Sequence, residues 1–324
     1  MTTPLTVQEP PQYPVELVAR DLRAYRASNT GIDYVHSFDS GRAGLHVMVN
    51  ALTHGNELCG MEVVRRLLDA GVRPSAGRLT LSFANVEAYA RFGAGQIDAR
   101  FVDRDFNRLW HDELLAADTC SSEARRAHQM RPLVCTVDRL LDLHSTWHAL
   151  LPFFVVPALP RARILADRLG VPARQLLLPQ FRHEGYHLID HGRFAQADGD
   201  AIGLIAECGQ HFAHSSALTA WQVAVRFLEL TGCLSPDAVR ALQPEPILAA
   251  PVERYAIVEP LMTRTGALRL TCSYAGFVAF AQGAVAAWDG DEPVRAPFDG
   301  AVVLAPRPNP GPGQQAFAWG RRLA

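Results

Sequence analysis

Short apolar runs that alternate with amphipathic segments are the feature that most constrains the fold of this chain. Residues 44–51, 78–84 and 201–206 are apolar runs of strand length. Residues 59–70 and 215–230 carry apolar side chains at helical spacing, and a glycine closely follows each segment. Strands that alternate with helices are typical of an α/β fold. We therefore predict a central, mostly parallel sheet flanked by helices.

The pattern changes after about residue 244. Residues 276–278, 283–288 and 301–304 are short β-like runs, separated by turn residues such as Asp-Gly pairs. Short strands with frequent turn signals are typical of hairpins. We predict an α/β domain over residues 1–244 and a small C-terminal β domain over residues 245–324.

The segment before the first predicted strand has helical spacing as well. Within residues 14–26, the apolar side chains of Val15, Val18 and Leu22 lie three or four positions apart. This spacing would place them on one face of a helix. We therefore predict a helix over residues 14–26.

Composition excludes several classes of function. All 31 basic side chains are arginine, because the chain contains no lysine. This excludes enzymes that need a Schiff-base lysine, the lysine of a P-loop, and lipoyl or biotinyl carriers. The net charge of −2 gives no basic surface for nucleic acid, so we expect no nucleic-acid partner.

The N-terminal residues and the longest apolar stretch bear on location. Residues 1–13 are polar and proline-rich, and they lack the apolar core of a signal peptide. The longest apolar stretch, residues 149–159, contains two prolines and is too short to span a bilayer. We expect a cytoplasmic protein without a membrane partner, and a homo-oligomer stays open.

The six cysteines contain no Cys-x-x-Cys pair. Scattered cysteines in a chain without a leader are usually reduced and buried. Cys59 and Cys208 neighbour candidate site residues, so a thiolate ligand or nucleophile there is the minor alternative to a role in the core.

A histidine and a glutamate follow the first apolar run at a spacing that suits a metal. His54 and Glu57 come shortly after the predicted strand over residues 44–51. Open α/β sheets place their ligand sites at the carboxyl ends of strands. A neutral imidazole and a carboxylate are donors that catalytic zinc accepts. Because one His-x-x-Glu can arise by chance, the hypothesis depends on further ligands.

Two more polar residues end apolar runs. His144 closes a Leu-Asp-Leu-His sequence, in which Asp142 is placed to orient an imidazole. Glu207 follows the apolar run over residues 201–206, where a carboxylate can act as a general base beside a metal. The plainer alternatives are a histidine that caps a strand end and a glutamate in a solvent-exposed loop.

A charge-dense segment over residues 100–108 supplies candidates for anion binding. Asn107 and Arg108 offer an amide and a bidentate guanidinium, which suit a substrate carboxylate. The alternative is a salt-bridged surface loop, which is the usual role of such segments.

Taken in this order, these elements resemble the succinylglutamate desuccinylase/aspartoacylase family, which is related to the zinc carboxypeptidases. The resemblance runs from about residue 47 to residue 232. In that family a His-x-x-Glu after the first core strand and a later Asp-Leu-His supply the zinc ligands. The resemblance therefore implies that His54, Glu57 and His144 hold one zinc ion per chain.

The same resemblance implies roles for four more residues. The family's Asp-x-Asn-Arg pattern holds a substrate carboxylate, which matches Asn107 and Arg108. An arginine eight positions before the arginine of that pattern helps polarise the scissile carbonyl, which matches Arg100. The family's Glu-x-Gly carries the catalytic carboxylate, which matches Glu207.

The resemblance implies a zinc-dependent hydrolase with a carboxypeptidase-like α/β fold. Its expected substrate is a small molecule that carries a carboxylate, namely an N-acyl amino acid or a related amide, cleaved in a deacylase or desuccinylase reaction. The alternatives are a zinc carboxypeptidase or amidase that acts on peptides, and a non-catalytic binding module of the same fold.

The chain departs from the family where its members hold a second acidic group of the substrate with further arginine and tyrosine residues. Arg182 and Arg193 lie in the corresponding region, before Glu207. The segment over residues 182–191 is rich in histidine, and a loop with surface histidines is favoured there over a second metal site. The acyl and amine parts of the substrate stay open.

Overall fold

A mixed sheet of eleven strands forms the centre of the computed structural model, which describes residues 11–178 and 185–323. Within these ranges, seven α-helices and a separate antiparallel sheet of three strands complete the structure. The predicted α/β class is therefore confirmed. In the part of the chain that is described, none of the helices is both long and apolar enough to cross a membrane.

The strands are bounded as follows: β1 Val35–Asp39, β2 His46–Ala51, β3 Arg78–Phe83, β4 Arg139–Thr146, β5 Phe153–Val156, β6 Arg174–Leu177, β7 Ile202–Gln210, β8 Glu253–Met262, β9 Leu268–Leu270, β10 Val278–Phe280, β11 Val285–Asp289, β12 Glu292–Arg295, β13 Ala301–Leu304 and β14 Gln315–Leu323. The helices are α1 Leu58–Asp69, α2 Val86–Gly93, α3 Asp112–Ala117, α4 Ser122–Val134, α5 Pro160–Leu169, α6 His214–Leu230 and α7 Pro236–Leu242.

The direction of the central strands creates one edge at which loops converge. The strand order is β1-β3-β2-β4-β7-β5-β6-β8-β14-β13-β10. Strands β3, β2, β4 and β7 are mutually parallel, whereas β5 runs antiparallel to β7. Because parallel strands end at the same edge of a sheet, the segments after β2, β4 and β7 meet there. The predicted site residues lie in or near these segments.

Strand β8 joins the two parts of the chain into one continuous sheet. It pairs in parallel with β6, where Leu176 lies opposite Tyr255. On its other side it pairs antiparallel with β14. The predicted boundary between residues 244 and 245 falls in the connection between α7 and β8. The division into two domains stays a prediction.

Successive side chains of the central strands pack alternately in two apolar cores, one on each face of the sheet. Val47 and Val49 of β2 pack in the core that includes α1 and α6. Met48, between them, packs in the other core with Phe106 and Trp110. This alternation is what a strand buried on both faces requires.

The predicted helix over residues 14–26 is wrong. The segment contains a single 3-10 turn, Arg23–Tyr25. The backbone N–H groups of Glu16 and Leu17 both donate to the carbonyl oxygen of Phe212, at 3.0 and 2.9 Å. Bonds to a distant loop take the place of the local bonds that a helix would need, so tertiary contacts override the local pattern.

Gly60 allows α1 to approach the sheet closely. A Cβ atom at Gly60 would lie 2.8 Å from Cβ of Leu143 and 3.0 Å from Cβ of Ala51. Gly60→Ala should therefore lower the free energy of unfolding by about 1–3 kcal/mol, because the core must shift. Gly93→Ala is the control, since nothing lies within 4 Å of the added Cβ. Urea denaturation measures both, and equal stability changes would argue against close packing at Gly60.

Candidate metal centre

Two imidazoles and a carboxylate form a buried cluster at the carboxyl ends of β2 and β4. Nδ1 of His54 lies 2.8 Å from Oε1 of Glu57, and Nδ1 of His144 lies 2.8 Å from Oε2 of the same carboxylate. Ligand atoms from the three residues all lie within 4.8 Å of one another. Each side chain is only 2% exposed. The structure thus brings together the three residues predicted to bind metal.

A residue in the left-handed conformation turns the chain from β2 into the cluster. Leu52 is buried and has a φ of 57°, which costs a residue other than glycine about 1–2 kcal/mol. Its carbonyl oxygen accepts a hydrogen bond of 2.7 Å from the N–H of Asn85. His54 follows this turn, and Glu57 directly precedes α1. This hydrogen bond therefore holds the strained backbone at the turn that positions His54 in the cluster.

An aspartate holds the far nitrogen of each imidazole. Nε2 of His54 lies 2.9 Å from Oδ1 of Asp105, and Nε2 of His144 lies 2.8 Å from Oδ2 of Asp142. An Nε2–H that donates to a carboxylate leaves the Nδ1 lone pair for a metal, as is usual around metal-binding histidines. The place of Asp142 two residues before His144 suggested this role. Asp105 lies 51 positions from His54, and no pattern pointed to their contact.

The cluster has an excess of negative charge. Glu57, Asp105 and Asp142 supply three carboxylates, and Arg100 contacts two of them. With neutral imidazoles, two negative charges remain, which a divalent cation balances. Burial disfavours the charged form of Glu57, yet the two imidazoles lower the pKa of Glu57 well below its ordinary range. Burial likewise opposes charge on His144, but Asp142 and Glu57 raise the pKa of His144 well above its ordinary range.

The donor set itself fits a catalytic metal ion. Two imidazole nitrogens and one carboxylate are the protein ligands of many catalytic zinc sites, which leave a further position open. The carboxylates of Asp105 and Asp142 orient the imidazole rings of His54 and His144, respectively. His54, Glu57 and His144 are therefore the residues that can hold the ion.

Arg100 contacts both the carboxylate of Glu57, a candidate metal ligand, and the carboxylate of Asp105, which binds His54. Its Nη1 lies 3.2 Å from Oε1 of Glu57, and its Nη2 lies 3.1 Å from Oδ2 of Asp105. The side chain is 36% exposed and lines the adjoining cavity. Its contacts give Arg100 a part in holding the cluster, and the predicted role at a scissile carbonyl stays a prediction.

Glu207 lies beside the cluster at the carboxyl end of β7. In the sheet it is opposite His144 of β4 on one side and Phe153 of β5 on the other. Its Oε2 atom is buried and has no hydrogen-bond partner among the described residues. Burial raises the pKa of Glu207 to about 8, because the charged form loses hydration. A carboxylate of this kind can exchange a proton near neutral pH.

Asn107 and Arg108 lie in a 3-10 turn, Phe106–Arg108, that follows Asp105. Oδ1 of Asp105 accepts a hydrogen bond from the N–H of Asn107, which ties this turn to the cluster. Oδ1 of Asn107 accepts from the N–H of Leu188 at 2.8 Å, so the amide group is the end that can donate. Both Asn107 and Arg108 line the cavity beside the cluster.

A buried glutamate in the first turn of α4 holds the segment that leads to Asp105. The carboxylate of Glu123 accepts from the N–H groups of Val102, Asp103 and Arg104 at 2.7, 3.0 and 3.0 Å. Three successive N–H donors fix the path of this loop. Nothing local in the sequence marks Glu123 as a helix residue that binds a loop about 20 positions earlier.

The cluster opens into a cavity of about 220 Å³. Its lining includes six of the seven predicted site residues, namely His54, Arg100, Asn107, Arg108, His144 and Glu207. The C-terminal part of the chain contributes several wall residues, among them Arg307 and Gln315. The residues predicted from separate motifs therefore face one common space.

Among the described residues singled out from the sequence, Arg193 and Cys208 do not line the cavity. Arg182 is outside the described residues. Arg193 pairs with Asp138, just before β4, and with Asp200, just before β7. Both aspartates lie at the amino ends of these strands, which is the edge of the sheet opposite the cluster. Cys208 is buried, and burial raises the pKa of Cys208 well above its ordinary value, so its thiol is neutral and a poor metal ligand.

Comparison with known proteins agrees with this arrangement. The profile of the succinylglutamate desuccinylase/aspartoacylase catalytic domain matches residues 43–182. The succinylglutamate desuccinylase of Vibrio cholerae is 23% identical over 292 residues, which cover 84% of this chain and 79% of that protein. An N-acyl-aromatic-L-amino acid amidohydrolase of Rattus norvegicus is 32% identical over 112 residues, which cover 32% and 34%.

The fold is similar to that of solved structures with little sequence identity. The crystal structure of succinylglutamate desuccinylase from Vibrio cholerae has a TM-score of 0.66 at 21% identity and covers 89% of this chain and 85% of that one. Fold and cluster together define an α/β protein with a buried His-Glu-His site able to hold a metal ion. Residues 43–182 match the catalytic domain of the succinylglutamate desuccinylase/aspartoacylase family, and the relatives and solved structures extend the similarity over most of the chain.

The geometry of the cluster predicts one divalent metal ion per chain. His54→Ala removes one donor and leaves Asp105 without its imidazole partner, so the bound metal should fall from about one equivalent to near zero. His36→Ala is the control, because His36 lies on β1 and binds the carbonyl oxygen of Tyr25. Metal analysis of purified protein measures both. Full retention of metal by the His54 variant would place the ion elsewhere.

Proposed function

We propose that this protein is a zinc-dependent hydrolase that cleaves the amide bond of small N-acyl amino acids. The observation that supports this most strongly is the shared cavity. Its lining includes His54 and His144 of the cluster, Glu207, and the pair Asn107–Arg108. The Oε2 atom of Glu207 is buried and has no hydrogen-bond partner within the described residues. A metal site, a proton acceptor and a carboxylate clamp are the parts that such a hydrolase needs.

Zinc is the ion that the donors favour, with His54, Glu57 and His144 as its ligands. When bound, it supplies Lewis-acid chemistry, which activates water and polarises a carbonyl group. Asp105 and Asp142 keep the two imidazoles in the orientation in which Nδ1 is free to bind.

Glu207 moves the proton in the proposed reaction. Its Oε2 takes a proton from the attacking water and later gives it to the nitrogen of the leaving amine. A pKa of about 8, raised by burial, suits a group that must both accept and release a proton near neutral pH. The register of β7 against β4 keeps this carboxylate beside His144.

Asn107 and Arg108 hold the carboxylate of the substrate. The amide group of Asn107 donates, because its Oδ1 is bound to the backbone of Leu188. The guanidinium of Arg108 adds a charged donor on the same wall. Holding the carboxylate fixes the distance from the scissile bond to Glu207, which places the reacting atoms in the right geometry. Arg100 is the proposed donor to the carbonyl oxygen.

The dimensions of the cavity favour a small substrate over a peptide. Its volume of about 220 Å³ is below the roughly 300–1,000 Å³ of typical ligand pockets. The proposed C-terminal β domain, residues 245–324, supplies part of the wall and so limits the length of substrate that fits. The names of two relatives, a succinylglutamate desuccinylase and an N-acyl-aromatic-L-amino acid amidohydrolase, also support amide hydrolysis on small acylated amino acids. We place the protein in the cytoplasm, as its composition suggests.

Glu207→Gln should abolish turnover while metal stays bound, because glutamine keeps the shape of the side chain but cannot accept the proton. We expect kcat to fall by about 10²–10⁴-fold. Glu245→Gln is the control, since Glu245 is exposed and lies outside the cavity. Hydrolysis of N-acyl amino acids and metal content are measured together. Near-normal turnover of the Glu207 variant would show that another group moves the proton.

Arg108→Ala should weaken binding of the substrate carboxylate. Loss of a charged hydrogen bond of about 1.5–3 kcal/mol corresponds to a rise in KM of about 10–100-fold. Arg104→Ala is the matched control, because Arg104 pairs with Asp118 at the surface, four positions earlier in the chain. Steady-state kinetics with one N-acyl amino acid compares the three proteins. An unchanged KM in the Arg108 variant would move the carboxylate site elsewhere.

A further inference from the structure

One side of the cavity is walled by a row of apolar side chains. In the sheet register, Ile205 of β7 lies opposite Val155 of β5, and Val155 lies opposite Leu176 of β6. Side chains at matched positions of neighbouring strands project from the same face. All three line the cavity, so they form a continuous apolar row across three strands.

This row begins beside the glutamate proposed to move the proton. Phe153 lies opposite Glu207 in the pairing of β5 with β7, two residues before Val155 on the same face. Leu178, just past β6, extends the wall. Phe153, Val155 and Leu178 are 2%, 8% and 9% exposed, so the wall is closely packed and its open surface is hydrocarbon.

The C-terminal strands continue the apolar surface. Ile257 and Pro260 of β8 and Ala318 of β14 also line the cavity. In the strand order, the metal cluster belongs to β2 and β4, Glu207 lies on β7, and the apolar row continues through β5, β6 and β8. The cavity therefore has a polar half, which holds the cluster and the carboxylate clamp, and an apolar half.

The arginines that line the cavity lie outside this apolar wall, and two of them already have a role. The guanidinium of Arg100 is bound to Glu57 and Asp105, and Arg108 belongs to the proposed carboxylate clamp. Arg307 is the further arginine in the lining, against nine apolar side chains. Among the described residues that line the cavity, a second acidic group on the substrate would meet Arg307 and His187 beside a largely hydrocarbon surface.

We infer that the substrate presents an apolar group, aliphatic or aromatic, to this wall. The group is either the acyl chain or the side chain of the amino acid. This rests on the proposed function, because it takes the cavity as the substrate site. Each buried methylene group strengthens binding about fourfold. The volume of about 220 Å³ exceeds the roughly 150 Å³ of an apolar cavity that binds benzene.

A matched set of N-acyl amino acids tests the inference with the zinc-loaded enzyme. One arm keeps the acetyl group and lengthens the side chain from N-acetylglycine through norvaline to norleucine and phenylalanine. The other arm keeps glycine and lengthens the acyl chain from acetyl to hexanoyl and benzoyl. We expect kcat/KM to rise about fourfold per methylene in one arm. N-acetylaspartate and N-succinylglutamate, which carry one and two additional carboxylates, should be poorer substrates.

Val155→Thr tests the wall itself, because threonine has nearly the same shape but buries a hydroxyl. It should reduce the preference for the longest chain over acetylglycine by about tenfold. Val18→Thr is the control, since Val18 is 61% exposed. Equal chain-length preference in wild type and the Val155 variant would overturn the inference.

The outcomes separate the inference from the proposed function. If dicarboxylates are preferred and Arg307→Ala removes that preference, the inference is wrong and the proposed function stands. If no N-acyl amino acid is hydrolysed, the proposed function fails. Calorimetric titration of the Glu207→Gln variant with the same compounds then tests the wall without turnover. Affinity that rises with chain length, with a negative heat-capacity change, supports it, and flat affinity overturns it.

Discussion

The burial of the Glu57 carboxylate is the constraint on which the rest of this structure depends. An ionised carboxylate withdrawn from water is stable only if hydrogen bonds or positive charge compensate it. Here the imidazoles of His54 and His144 contact its two oxygens, and Arg100 contacts one of them as well. These groups come from different strand ends, so the carboxylate can be satisfied only when β2 and β4 are correctly aligned. The chemistry of the site and the register of the sheet therefore support each other.

Further carboxylates surround the cluster, and each is compensated by its own hydrogen bonds. Asp105 and Asp142 hold the imidazoles, and Glu123 holds the loop that delivers Asp105. Each acid is itself satisfied by N–H or O–H donors; Asp142, for example, accepts from Asn50 and Thr53 on the neighbouring segment. A network with every member satisfied is rigid and leaves little freedom for the side chains that face the cavity. Its rigidity is what a site of defined geometry needs.

Much of this arrangement was predictable from the sequence, because strand periodicity sends polar residues to a common edge. His54, Glu57, His144 and Glu207 could be found in this way, and the structure places them together. Contacts between positions far apart in the chain, such as that of Glu123 with residues 102–104, leave no local periodicity. The helix predicted over residues 14–26 failed for the same reason, since the partner of that backbone is a distant loop.

The pairing of β8 with both β6 and β14 has a consequence for how the cavity can be entered. A wall built on a second, hinged domain could swing away to admit a ligand. Here the strands that carry the apolar wall and those of the C-terminal part belong to one hydrogen-bonded sheet. Rotating the C-terminal part as a body would break a row of backbone hydrogen bonds along β8, each costly to leave unmade. The width of the apolar half of the cavity is therefore set by the sheet.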